Sequence, residues 1–536
     1  MTTEVDADVL IAGYGPVGAV LAALLGQRGV ATVVVDPDSA PYPLPRAAAL
    51  DEEVLRTLVG LPGAADLDRW AVAVRHSRFL GPDRTALFTV SPAEPDSGLP
   101  LLAMIDQPEL EAALREGVAG LPSVTVRTGR AVAALEPAAD AVGVVLDDGT
   151  TVRARWVVAC DGASSTVRRL AGLPFPGRTF AQPWLVVDAA TVDAGPRAGT
   201  VDAVTAHGGV PAPAGPSGEA TVSMVLDPRR PAVTFAGPGR RRWEWMLLPG
   251  AEPAAMTGAE VVRRLVAEWV DPELVRVRRA AVFTFHARQA ARWRSGRVLL
   301  AGDAAHAMPP FVGQGLATGV RDAASLAWRL VEVVRGGAGG HLLDGYERER
   351  RHDIARTTRL SLAVGRVLQT RNRGVSALFR TVLRTAAAVP GLQSRAGRQE
   401  RARRQLPRRL AGALPAAGRP LPNPLVGTAD GPVRLDRLLD HRWAVIGVGC
   451  DPLAGADPAA LAWLAARDAV VLVAGVSGPV TEGCRRVELP TGALGRGLLG
   501  RRSGAAAGPV VVLVRPDRYL LGAVPPPLRG APPLPA

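Results

Sequence analysis

Short unbroken apolar runs alternate along this chain with glycine-rich turns and with stretches whose apolar positions recur at helical spacing. Val9-Leu10-Ile11-Ala12 suits a strand buried in a parallel sheet. Gly13-Tyr14-Gly15-Pro16-Val17-Gly18 follows, then Val20, Leu21, Leu24 and Leu25 mark one face of a helix. Gly29 ends that helix, and Thr32-Val33-Val34-Val35 predicts a second strand closing on Asp36. Two later units repeat the strand-then-turn pattern. Trp156-Val157-Val158-Ala159 precedes Cys160-Asp161-Gly162 and Arg168, and Val298-Leu299-Leu300-Ala301 precedes Gly302-Asp303. From Val320 the period becomes helical, with Ala324, Leu326, Ala327, Leu330 and Val331 on one face. Residues 174–276 differ in texture: Leu185-Val186-Val187 and the run 221–225 predict strands between Gly- and Pro-rich turns. Beyond Pro420-Leu421-Pro422-Asn423-Pro424, strands are predicted at 443–448, 469–474 and 510–514, with a helix at 459–466. The tail 525–536 is Pro-rich and predicted to be extended.

Length adds that 536 residues make two to four domains at about 150 residues each. The net charge is +13, and lysine is absent, so every basic residue apart from histidine is arginine. Such usage is the mark of a GC-rich genome, and it excludes lysine Schiff-base or lysine general-base chemistry. The arginines are interleaved with acids, and the Arg-rich run 401–409 carries no base-stacking aromatics, so a solvated surface and linker are expected rather than a nucleic-acid site. Cys160, Cys450 and Cys484 have neither zinc nor disulfide spacing. The N-terminus is acidic where a signal peptide would be basic, and its apolar stretch is interrupted by Gly13, Gly15, Pro16 and Gly18. A soluble cytoplasmic monomer or homodimer is expected, with no membrane, nucleic-acid or metal partner.

The first strand, turn, helix, strand and acid form a βαβ unit with the dinucleotide fingerprint. Gly13 permits the tight turn, Gly15 admits a pyrophosphate to the backbone, and Gly18 brings helix and strand together. Pro16 and Val17 open the helix, whose unpaired N–H groups and positive dipole end face the phosphates. Asp36 is placed to accept from a ribose 2′-OH. The unit alone fits NAD as well as FAD.

With the segments at Asp161 and Asp303 added, the chain resembles the class A, single-component FAD-dependent aromatic hydroxylases. The stretch 308–328 is most similar to the branch of 3-(3-hydroxyphenyl)propionate hydroxylases and actinomycete polyketide hydroxylases. Arg46 within Pro-Arg-Ala-Ala-Ala-Leu, Gln107 with Leu110 and Leu114, the runs 242–249 and 346–350, and Phe285-His286-Ala287 agree. The resemblance spans roughly residues 5–395. It implies an α/β fold: a Rossmann-like FAD-binding domain of the GR2 type (1–173 and 277–395, with 76–100 assignable to the substrate side), a β-sheet substrate domain (174–276), a linker (396–420) and a thioredoxin-like C-terminal domain (421–536).

The resemblance also implies roles. Asp303, after Gly302, takes a ribityl hydroxyl of FAD. Gly313-Gln314-Gly315 brings the N–H groups of Leu316 and Ala317 to the flavin pyrimidine oxygen, where charge develops on reduction. Arg46 pairs with the pyrophosphate, Gln107 starts the helix reaching the flavin, and Asp161, Gly162 and Arg168 support the cofactor. Pro309 and Pro310 stiffen the loop beside the reactive carbon. The family often has Asn at the position of Ala317; Thr318 is a replacement helix cap. Met224, Trp243, Trp245 and Phe311 are candidate substrate contacts, although the tryptophan pair also suits sheet packing. The pair lacks the Ile-Pro and the lysine of flavin halogenases. Phenol hydroxylases of the family often activate substrate with a tyrosine, but Tyr14, Tyr42, Tyr346 and Tyr519 all lie outside 174–276. His76, His207 and His286 are possible replacements. By this resemblance NAD(P)H reduces FAD, O2 adds to give a flavin hydroperoxide, and one oxygen passes to an aromatic or polycyclic, polyketide-like substrate. A Baeyer–Villiger oxygenase and a dehydrogenase or reductase without oxygen transfer are the alternatives.

Overall fold

The computed structural model describes residues 5–91, 97–192, 220–393, 406–407, 414–490 and 508–535. Five apolar runs form the parallel part of an eight-stranded sheet, in the order Val298–Leu300, Thr151–Ala159, Ala7–Ala12, Thr32–Asp36 and Val124–Thr128. Leu10 and Ile11 are fully buried, as expected for strands covered on both faces. The helices Pro16–Gly26, Gln107–Ala119 and Gly315–Val334 carry much of that cover. The last of them begins at Gly315, a turn and a half before the Val320 predicted from periodicity. Its first turn is Gly- and Ala-rich, so it carries little of the apolar signal by which a helix is recognised.

A nine-stranded sheet lies beside the first. Its order is Val275–Phe283, Trp184–Thr191, Arg240–Met246, Ala232–Gly237, Ala220–Val225, Ala71–Leu80, Leu102–Ile105 and Ala49–Asp51, with Ala86–Val90 on Ala71–Leu80. The substrate sheet therefore takes strands from both sides of 174–276, and Val275–Phe283 runs across the expected boundary at 276. Arginines interrupt that strand, which is why its pattern reads poorly as β. The back of the sheet packs Val187, Trp243 and Trp245 against Val262, Leu265 and Val266 of the helix Ala259–Ala267.

The C-terminal part is a five-stranded sheet of thioredoxin-like order. Ala444–Val448 and Val470–Ala474 run parallel through the helix Pro458–Ala465, and Val510–Val514 and Leu520–Val524 follow as an antiparallel pair. Leu520–Val524 was not among the expected strands. The tail beyond it is irregular as expected, but it is tied down, with Leu528 buried and the Gly530 N–H donating to Asp457. The sheet docks on the FAD-binding part through buried ion pairs. Arg56 grips Asp436 at 2.7 and 2.8 Å, and Arg515 grips Glu349 at 2.9 and 3.0 Å. Burial works to raise the Asp436 carboxyl, but Arg518 and Arg56 outweigh it and hold it below its ordinary range. His207 and most of the linker 396–420 lie outside the described residues. Among the described residues no helix is long and apolar enough to cross a membrane.

Candidate active site

Three strands end side by side, with Ala12 level with Ala159 and Ala159 level with Leu300. Ala7–Ala12 is followed on one side by Thr32–Asp36 and Thr151–Ala159 on the other side by Val298–Leu300, and ligands of open α/β sheets bind at such a point. The loops that follow begin a cavity of about 1310 Å³ that continues onto the second sheet. Gly13, Gly15, Pro16 and Val17 line it, whereas Gly18 is packed behind. A Cβ on Gly18 would sit 2.0 Å from the Gly13 carbonyl oxygen, but one on Gly15 would meet nothing within 4 Å. Gly18 thus serves helix–strand contact, and Gly15 leaves open space at the helix N-terminus. Asp36 lines the cavity and accepts from the backbone N–H groups of Tyr14 and Asp38. Burial pushes the Tyr14 phenol up to about 12, against the lowering effect of Arg115.

Arg46 lines the cavity from a loop held at both ends. Gln107 Oε1 accepts from the Arg46 and Ala47 N–H groups at 3.0 and 2.7 Å, so Gln107 positions this loop while itself lining the cavity. From the second sheet, Arg242 and Arg279 both donate to the Pro45 carbonyl at 2.6 Å and share the carboxylate of Asp188. The Arg46 guanidinium lies 4.7 Å from the centre of the Tyr42 ring and has no carboxylate partner among the described residues. Replacing Arg46 with Ala should weaken FAD binding about 10- to 100-fold, the worth of a charge-assisted hydrogen bond of about 1.5–3 kcal/mol. Flavin fluorescence titration of the apoprotein measures it.

Asp161 lines the cavity and accepts from the Val167 N–H at 3.0 Å through one oxygen, while the other is buried without a partner. Arg168 does not line the cavity. It bridges two loops from behind, donating to the Ala304 and Ala163 carbonyls at 3.0 and 2.8 Å. Asp303 opens onto the cavity yet is surrounded by protein, and that desolvation raises its carboxyl despite His306 and Arg46. Gly302 stands behind it, its N–H donating to Asp322 at 3.0 Å.

Gly313, in the left-handed region at φ +64°, turns the chain into the helix Gly315–Val334. Gly315 and Leu316 line the cavity, and Ala317 is buried in the first turn. Thr318 is the first residue whose N–H reaches back, to the Gln314 carbonyl, so the N–H groups before it lack a helical acceptor. The Thr318 hydroxyl does not cap this helix; it donates back to the Gln314 and Gly315 carbonyls. Pro310 and Phe311 line the cavity, while Pro309 is set back, its carbonyl accepting from Ser361 at 2.8 Å.

Trp184, Val222, Met224, Val233, Phe235 and Glu244 line the far end of the cavity from the second sheet, with Phe285 and His286 beside them. Trp243 and Trp245 are not there. They point to the opposite face, stacked on each other at 6.2 Å and buried in the sheet–helix core, because successive side chains of a strand alternate faces. His286 pairs through Nδ1 with the Thr179 hydroxyl at 3.1 Å. His76 contacts Ser91 at 3.1 Å and is not part of the lining. Tyr42 reaches the cavity, but from the Arg46 loop rather than from the sheet.

Several lining residues escaped the sequence reading. Glu111 and Arg115 follow Gln107 at intervals of four on one helix, a signal that was present. Glu244 and Trp184 were hidden by their neighbours, and Pro420, Leu421 and Asn423 come from beyond the linker. FAD fits these residues. Gly15 leaves room that a Cβ would fill, Asp161 offers a buried acceptor without a protein donor, and two helix N-termini with Arg46 face the same space.

The chain matches the FAD binding domain family over residues 6–361 and the HcaD C-terminal domain over residues 418–529. A 3-(3-hydroxy-phenyl)propionate/3-hydroxycinnamic acid hydroxylase of Mycolicibacterium gilvum (strain PYR-GCK) is 37% identical over 431 residues, 80% of this chain and 71% of that protein. One from Klebsiella pneumoniae (strain 342) is 33% identical and covers 98% of this chain and 93% of its own length. Among solved structures, the anhydrotetracycline hydroxylase OxyS from Streptomyces rimosus is 28% identical with a TM-score of 0.68, covering 96% of this chain and 94% of its own.

Proposed function

This chain belongs to the FAD binding domain family and is an FAD-dependent aromatic monooxygenase using NAD(P)H, and on that premise we propose that it hydroxylates a phenol of one or more fused rings. The observation that carries the reading is the continuity of the cavity. It runs from the Gly15 cradle past Leu316 to an apolar wall of Trp184, Met224, Phe235, Phe285 and Phe311, suited to aromatic faces. The two curated relatives are named for 3-(3-hydroxy-phenyl)propionate and 3-hydroxycinnamic acid, and the solved relative for anhydrotetracycline. An Asp, a Gly-rich turn and an Arg serve the adenine end in this reading, with Asp36 at the ribose and Arg46 at the pyrophosphate. Asp303 and Asp161 hold the ribityl part. The N–H groups of Leu316 and Ala317 steady charge at the pyrimidine end, and Pro310 and Phe311 shape the substrate side. When bound, FAD supplies hydride acceptance and oxygen activation, and the apolar wall excludes water from that chemistry. We place the protein in the cytoplasm as a monomer or homodimer. Nothing in the comparisons favours Baeyer–Villiger insertion or a reductase.

FAD-loaded protein mixed with 3-hydroxycinnamic acid, 3-(3-hydroxyphenyl)propionate and polycyclic phenols should oxidise NAD(P)H faster with at least one of them. Under labelled O2 one oxygen should enter a ring carbon of the product. Product without label, or with oxygen inserted beside a ketone, overturns this reading.

A further inference from the structure

Glu244 is an acid on the substrate wall. Val186 and Val233 stand directly across from it on the neighbouring strands, and Arg242 and Met246 flank it on its own. Its nearest ionic neighbour is Arg242 Nη1 at 3.9 Å. That guanidinium is already committed to Asp188 and to the carbonyls of Pro45 and Arg46. No hydrogen bond reaches either carboxylate oxygen of Glu244 from the described residues. The Glu244 side chain keeps 14% of its surface open, on the cavity that it lines, so the donor that a carboxylate in such surroundings calls for comes from whatever fills the cavity.

We propose that Glu244 accepts first a hydrogen bond and then the proton from the phenolic hydroxyl of the substrate, selecting phenols over the corresponding ethers. The inference rests on the hydroxylase reading. The acid offers only acceptors when ionised, so it needs a donor and repels a substrate carboxylate. A ring seated on Val233 and Phe235, which line the cavity with Glu244, presents such a donor without burying another charge. The proton passes from the phenolic oxygen to a Glu244 oxygen, leaving an electron-rich ring. It returns to the same oxygen once the attacked carbon has gained its oxygen and lost its hydrogen. Overall, phenol, O2, NAD(P)H and a proton give the dihydroxylated product, water and NAD(P)+, and Glu244 ends as it began. No tyrosine of the described residues lies on this sheet to do the same work.

Burial raises the Glu244 carboxyl above its ordinary range, opposed by Arg242, reinforced by Asp188 and opposed again by Arg279. A stronger base suits a phenol, which titrates near pH 10. The charged groups packed around it are those three. The strand Ala232–Gly237 brings none, and Arg46, Asp303 and His286 face the same cavity from other elements. Only the ionised acid works, so kcat/KM should fall as pH drops through this raised value.

The test titrates FAD-loaded wild type with 3-hydroxycinnamic acid and with its O-methyl ether, following flavin absorbance without NAD(P)H. Glu244→Leu and Glu244→Gln are then compared for binding and for pH profile. Wild type should bind the phenol at least about tenfold more tightly than the ether, and Glu244→Leu should lose that preference. Glu244→Gln should lose about 100-fold in kcat with a much smaller change in KM, and its acidic limb should vanish. Equal affinity of wild type for phenol and ether overturns the inference without needing any variant. So does an unchanged acidic limb in Glu244→Gln, while labelled oxygen in the wild-type product leaves the hydroxylase reading standing. Wild type that neither binds a phenol nor incorporates oxygen overturns both.

Discussion

A Gly13→Ala variant should purify colourless and unfold at lower denaturant than wild type, with a loss of about 2–5 kcal/mol. The added Cβ would lie 2.5 Å from the Cys160 carbonyl oxygen and 2.8 Å from the Asp161 nitrogen, both backbone atoms. Neither can rotate away as a side chain would. The Cys160 N–H is itself bonded to the Ala12 carbonyl at 2.7 Å, so moving that loop pulls on the strand pair at the centre of the sheet. Gly13 also sits at φ +102°, a conformation that L side chains rarely adopt. Overpacking costs about 1–3 kcal/mol and positive-φ strain about 1–2 kcal/mol more. Flavin is lost with it, because the same loops form the cofactor crevice. Gly15→Ala is the control. Its Cβ meets no protein atom within 4 Å, so stability should hold while FAD affinity falls. Urea denaturation and flavin absorbance separate the two variants, and a stable, yellow Gly13→Ala would refute the argument.

That contrast also shows how far the sequence carries. Gly13, Gly15 and Gly18 read as a fingerprint because each sits in a contiguous strand–turn–helix unit. The turns at Asp161 and Asp303 were equally plain, since each follows an uninterrupted apolar strand. The substrate sheet was only half legible. Ala71–Leu80 pairs with Ala220–Val225 across more than a hundred residues, and such pairing leaves no local trace. The alternation in Arg242-Trp243-Glu244-Trp245 was visible, but not which face met the cavity. The aromatic pair is a candidate substrate contact by sequence, whereas the structure gives it to the core and turns Arg242 and Glu244 toward the ligand space. Arg115 could have been found at helical spacing from Gln107. Arg168, which the resemblance implies supports the cofactor, braces the loops that carry Ala163 and Ala304.

Asp322 lies in the stretch 308–328 that carries the resemblance, but its buried network joins residues distant in sequence and left no pattern to read; it should be as costly to break as the glycine turn. Asp322 is fully buried on the long helix. One oxygen contacts His306 Nε2 at 2.6 Å and accepts from the Gly302 N–H at 3.0 Å; the other accepts from Arg350 Nε at 2.7 Å. Arg350 also donates to the Thr318 carbonyl, at 3.3 Å, in the helix that begins at the cavity. Asp322 therefore fixes both walls beside Asp303. Asp322→Ala leaves His306 and the Nε of Arg350 facing a hole, with Asp353 at 2.7 Å as the remaining carboxylate on Arg350, and breaking a buried pair in this way costs up to about 3–5 kcal/mol. FAD affinity should fall with stability, since Gly302 and His306 bracket Asp303. Burial alone would raise the Asp322 carboxyl, but His306 and Arg350 outweigh it and hold it below its ordinary range. Its stabilisation is thus complete above the unfolded value of about 3.9 and is lost as pH falls through the lower folded value. Asp322→Asn keeps the shape but not the charge. Its stability deficit, measured by urea denaturation, should be largest at neutral pH and should shrink as wild type is acidified below pH ~4. A deficit that stays constant with pH would mean that the carboxylate charge does not hold this loop.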